Sequence, residues 1–259
     1  MVERIGPLGW GETMDVAFAL CRANFWPLIG QTAVGVSILT PLGLLLPWAL
    51  RSLGSAAIPE VVAGYLIQIV GYNLLTLWLL QSIRAILAGE PIGWRKSFRL
   101  ALGILIPSLI TGLLWMLVLV LGLVLLVIPG ILIVPVYGAL YVPVMVFEGR
   151  FYLKALRRSY HLVMGSYWKI GTIWFCYSVT EWTAAIAFVV PLLILFGTVS
   201  AVNPTSHLFV DSAVGLLSYV GDLILPFSVC LVAVIYRERV ASREGEDLEI
   251  SLLRLEAQN

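Results

Sequence analysis

Charge is what this chain lacks most. Only 12% of its 259 residues are Asp, Glu, Lys or Arg, about half the usage of soluble domains, while 60% are apolar and the mean hydropathy is +0.98. So few charges cannot cover a water-facing surface, which excludes an ordinary soluble globule. Histidine is also scarce: His161 and His207 are expected on opposite sides of a membrane, so a histidine metal site or a Ser-His-Asp triad would have to bridge it. Cys21, Cys176 and Cys230 have no short-range spacing for metal or redox chemistry, and no disulfide is expected. A Walker-type glycine loop and an HExxH motif are both missing. No cofactor, metal or nucleic-acid partner is therefore expected. The opening MVERIGPLGWGETMDVAF mixes signs and reaches no apolar core until about Phe25, unlike a cleavable signal, so the first span should be retained.

What the chain has instead is apolar runs long enough to cross about 30 Å of hydrocarbon. Six are expected: Phe25–Leu50, interrupted by Pro41 and Pro47; Ile58–Leu80; Ile104–Val127; Ile131–Phe147; a fifth within Tyr167–Val199, its core at 169–199; and Asp211–Tyr236. Together they make residues 1–240 an integral membrane domain, followed by a charged tail over 241–259 in which Leu248, Leu252 and Leu255 recur at helical spacing. Between the third and fourth runs stand only Pro129 and Gly130. A single helix over Ile104–Phe147 would be roughly 66 Å long, about twice the hydrocarbon thickness, so this dipeptide reads as a hairpin turn.

The cations are distributed unevenly. Fifteen of the sixteen Lys and Arg residues fall on one side of this arrangement and Arg51 alone on the other, which by the positive-inside bias puts both termini in the cytoplasm. The inner, or plasma, membrane is the expected location.

Three segments resemble one another: DVAFALCRANFWPLI from Asp15, WRKSFRLALGILIPSLI from Trp94 and LRRSYHLVMGSYWKI from Leu156. In the third, Lys154, Arg157, Arg158 and His161 share one helical face, with Leu153, Leu156, Tyr160, Val163 and Tyr167 opposite. In the second, Arg95, Lys96 and Arg99 oppose Trp94, Phe98 and Ala101. The expected fold is thus all-α: a polytopic bundle of about six transmembrane helices in three units, each an amphipathic surface helix followed by a hairpin.

Two groups of residues are candidates for function. Arg95, Lys96, Arg99, Lys154, Arg157 and Arg158 suit anionic lipid headgroups, although topology alone accounts for cations there. Glu181 and Asp222 are expected inside the last two spans, at similar depth if those helices pack antiparallel, with no Lys or Arg within either span at that level. They read either as a proton or cation site or as neutral carboxyls that hydrogen-bond between helices. Gln31, Gln68, Asn73 and Gly71 in the first two spans read as helix-packing positions.

The run LLVIPGILIVPVYGALYVPVMVFEGRFYLKALRRSYHLVMGSYWKI carries a further pattern: an IPGI turn, a span ending at Glu148, an ALRRS helix over Ala155–Ser159, then Gly165 and Trp168. In this it resembles the bacterial glycerophosphoryl diester phosphodiesterase membrane-domain family and related six-span proteins. In some members a barrel-shaped phosphodiesterase domain follows and performs the hydrolysis. This chain shows none, so the resemblance implies a membrane domain without that enzymatic activity and supplies no catalytic residues. The expected role is a non-enzymatic, lipid-interacting accessory protein, with a protein partner or a second copy as its company. The alternative is a small transporter or channel built on Glu181 and Asp222.

Overall fold

The computed structural model describes residues 8–52, 57–125, 136–202 and 224–256, and every regular element among them is helical. Helix α1 spans Trp10–Ala23. Its start is set by the Gly9 amide, which donates to Glu12 Oε2 at 2.7 Å and so holds an acid at the positive end of the helix. Asn24 ends it, donating from Nδ2 to the Leu20 carbonyl at 3.0 Å.

Helix α2, Phe25–Ser52, continues through both Pro41 and Pro47, where the sequence suggests interruption. It lies antiparallel to α3, Ala57–Leu87, as three pairings show. Gln31 Nε2 donates to Ser82 Oγ at 2.9 Å, Gly35 faces Leu75 and Gly71 faces Leu39. A Cβ at Gly71 would crowd the Leu39 side chain, so glycine eases the close approach of the two helices here. Gln31 is fully buried, which makes it the packing residue expected, whereas Gln68 is exposed.

Helix α4 spans Trp94–Leu125 without a break. The amphipathic segment at Trp94–Arg99 is therefore its first turns and not a separate surface helix. The predicted faces are present: Phe98 and Trp94 pack edge-on against Trp78, Ala101 is buried, and Arg95, Lys96 and Arg99 are exposed.

Three helical stretches, Phe25–Gly43, Val62–Leu87 and Trp94–Val124, are long and apolar enough to span a membrane. Their outward faces carry Ile38, Ile69, Leu113 and Val124, from 59% to 77% exposed. A continuous apolar surface of this kind is untenable in water and normal against lipid.

The fourth expected span is different. Residues 136–138 are helical, Ala139 and Leu140 form a turn, and α5 begins afresh at Tyr141 and ends at Glu148. Pro143, which has no N–H to donate, stands in the first turn of α5, where that donor would lack an intrahelical partner in any case. Gly149, at φ 64°, closes α5 in the left-handed conformation, with its amide on the Met145 carbonyl.

Helix α6 is Leu153–Val163, α7 is Tyr167–Val202 with Pro191 inside it, and α8 is Leu225–Glu256. The tail beyond residue 240 is helical as expected, but it continues α8 instead of forming a separate element. Helix α8 packs on α1 and α3, and α6 on α5, α4 and α8. The core gathers at one end of the bundle around Leu77, Leu80 and Ile83 of α3, Val144 and Met145 of α5, Leu162 of α6 and Leu231 of α8, each 1% exposed or less.

Candidate functional site

The polar residues of that end form a joint where α5, α6 and α8 meet. Glu148, last residue of α5, is at its centre. Its Oε1 lies 2.9 Å from Arg158 Nε of α6 and accepts the Tyr236 hydroxyl of α8 at 2.9 Å, while Oε2 lies 3.0 Å from Arg150 Nε. The side chain is 15% exposed, so these partners offset the loss of hydration. Tyr236 is fixed further by stacking on Phe147, ring centroids 5.0 Å apart. Engaged by two guanidinium groups and a phenol, Glu148 serves as a tie between helices.

Other cations close helix ends. The last carbonyls of a helix have no intrahelical partner and carry partial negative charge. Arg84 of α3 donates from Nη1 to the Val146 carbonyl of α5 at 2.8 Å. Arg239 and Arg243, one turn apart on α8, donate to the carbonyls of Leu162 and Met164 at the end of α6. Gly165, at φ 85°, makes room there, since a Cβ would meet Arg243 Nη2 at 2.9 Å. Lys169 of α7 pairs with Glu238 Oε1 at 2.9 Å, and Ser242 also donates to that oxygen. Glu238 is only 2% exposed, so the charged run YRERVASRE is a buried seam on one face and not a solvated tail throughout.

On α6 the bundle buries Ala155, Ser159, Leu162 and Val163, whereas Leu153 and Tyr160, on the same apolar face as Val163, are 66% and 42% exposed. The Glu148–Arg158 pair and the hydrogen bonds of Ser159 hold this side of α6 against the bundle. Ser159 Oγ donates to the Tyr137 carbonyl at 2.7 Å and accepts the Leu140 amide at 3.3 Å, so it supplies both groups that the break before α5 leaves open.

The six headgroup candidates are thereby separated. Lys154 and Arg157 are exposed on α6 beside His161, and Arg158 is turned inward. Arg95 and Arg99 are exposed on α4, at a different place. Lys96 is paired with Glu90 at 2.9 Å; that hydrogen bond, and then the lysine's charge, hold the Glu90 carboxyl below its ordinary range. Glu181 falls within α7. Asp222 and the Pro129–Gly130 turn lie outside the described residues.

Two features were hidden in the sequence. Glu238 sits among charges that resemble a tail, and only its spacing of four from Ser242 hints at one face. Cys21 of α1 and Cys230 of α8 are far apart in the chain, yet their thiols are hydrogen-bonded, and this bond lowers the Cys21 pKa despite opposition from burial. Both thiols are free. Among the described residues no three His, Cys, Asp or Glu side chains converge as a metal site. No family model, curated protein or solved structure matches the chain.

Proposed function

We propose that the chain is a non-enzymatic accessory protein of the inner, or plasma, membrane that binds anionic lipid through its basic helices, in a six-span bundle with both termini cytoplasmic. The observation that carries this reading is the division of labour on α6. Arg158 is spent on Glu148, while Lys154 and Arg157 stay exposed and, among the described residues, make no ion pair. The concentration of cations at the end of the bundle where α5, α6 and α8 meet supports the assigned orientation.

The three-unit architecture belongs to the same proposal. Helices α1 and α6 are both short, both break within a few residues, and both lead directly into a long helix, α2 or α7. Trp94–Arg99 occupies the corresponding place, fused to α4. Membership of the glycerophosphoryl diester phosphodiesterase membrane-domain family rests on the IPGI, Glu148 and ALRRS pattern, and the structure gives two parts of that pattern a physical role: Glu148 pairs with Arg158, and Ser159 closes the break before α5.

Lipid retention tests the functional reading. The full chain, extracted gently and analysed by native mass spectrometry, should carry anionic phospholipid in excess over its share of the membrane. Retention in simple proportion to membrane composition would refute it. Cysteine-labelling of each terminus in sealed inverted and right-side-out vesicles tests the orientation separately, and labelling of either terminus from outside would sink it.

A further inference from the structure

Beside the Glu148 joint is an open cavity of about 980 Å³ between the α5–α6 turn and the first turns of α6. Arg150, Lys154, Arg157, Arg158 and His161 line it together with the apolar Phe151, Tyr152 and Leu153. We propose that this cavity is a discrete binding site for one anionic phospholipid, with the phosphate held by Lys154 and Arg157 and the glycerol and first acyl carbons against Tyr152 and Leu153. The inference rests on the lipid-binding reading above and assigns it to one place.

Three observations converge on a phosphate. The charge of the lining is unbalanced: four Lys and Arg side chains face Glu148 and, 3.7 Å from Arg158, the more exposed Glu244. Lys154 and Arg157 are the two left without an acidic partner among the described residues. The second observation is the position of Lys154. It lies in the first turn of α6, the positive end of the helix dipole, where an acid is favoured and a cation is not. Helix α1 has Glu12 at that place, but α6 has no acidic residue in its first turn and no side-chain cap. Like charges three and four residues apart add to the repulsion. An anion seated there would relieve this repulsion by pairing with the two side chains at the positive end of the helix.

The third observation concerns shape. The cavity is far larger than a phosphate ion and falls in the range of organic-ligand sites. Its apolar wall is open to the outside: Leu153 is 66% and Tyr152 43% exposed. Tyr152 holds an unusual backbone, φ 58°, with its amide donating to Thr111 Oγ1 of α4 at 3.0 Å, so the wall is fixed against a long helix. A cationic pocket with an apolar lip at a helix start matches a phosphate that carries a lipid tail.

The test uses the full chain in nanodiscs of phosphatidylcholine, with short-chain phosphatidic acid titrated by calorimetry and inorganic phosphate as competitor. Native protein should bind phosphatidic acid saturably at one site. The double variant Lys154→Gln with Arg157→Gln changes only exposed side chains and should weaken binding by about tenfold or more. The variant Arg22→Gln, which removes an exposed cation of α1 outside the candidate set, should change it by less than about twofold. Equal weakening by both variants would overturn the cavity while leaving general lipid binding intact. If native protein does not bind at all, both readings fail. Displacement of phosphatidic acid by millimolar inorganic phosphate would overturn the lipid assignment in favour of a soluble phosphate.

Discussion

Glu148 and Arg158, ten residues apart in the chain, form a 2.9 Å ion pair that folds α6 back against the end of α5. Because Oε1 also accepts the Tyr236 hydroxyl, the same carboxylate binds α8 to the pair. Removing one partner of such a shielded pair exposes the other's desolvation with nothing to offset it.

Glu148→Ala should therefore destabilise the protein by about 3 kcal/mol, the order found when a largely buried pair loses one member. Loss of helicity against temperature in a mild detergent measures it. Adding Arg158→Met should recover part of the loss, since no unpaired guanidinium then remains. A double variant as unstable as the sum of the singles would contradict the pairing.

Ser159→Ala should cost about 1–3 kcal/mol, because the Leu140 amide and Tyr137 carbonyl each lose their partner at a helix break that water reaches poorly. Hydrogen exchange provides the more specific readout: the Leu140 amide should exchange faster in the variant, while amides in α3 stay protected. Unchanged protection at Leu140 would show that the hydroxyl does not close the break.

Cys21 should react with iodoacetamide at lower pH than an ordinary thiol. The hydrogen bond from Cys230 favours its thiolate, and thiolate is the reactive form, so the midpoint of labelling against pH lies below the usual value. In Cys230→Ala the midpoint should rise. Oxidation of native protein by copper phenanthroline should also join the two cysteines, identified as a linked peptide by mass spectrometry. Absence of that peptide would argue against the packing of α1 on α8.

The bilayer character and the long helices of α2, α3 and α4 were legible from apolar run length, because run length and hydropathy act locally and need no tertiary partner. The basic face of α6 was legible for the same reason, since helical periodicity is a property of consecutive residues. Which of its apolar residues the bundle buries was not. Val163 is buried while Leu153 and Tyr160 of the same face stay exposed, because beside lipid an apolar side chain is equally stable facing outward. Side-chain polarity therefore no longer distinguishes inside from outside, and specific polar contacts decide.

What the sequence determined by itself is an all-helical chain with at least three membrane-long stretches and with cations gathered in a few short segments. Tertiary structure alone decided which cations are neutralised and which remain available. Glu148 takes Arg158, Glu238 takes Lys169, the end of α6 takes Arg239 and Arg243, and Lys154 and Arg157 are left at the mouth of a cavity. Charge type is written in each residue, but the strength of an ion pair depends on distance and burial, and these arise only when helices distant in the chain are brought together.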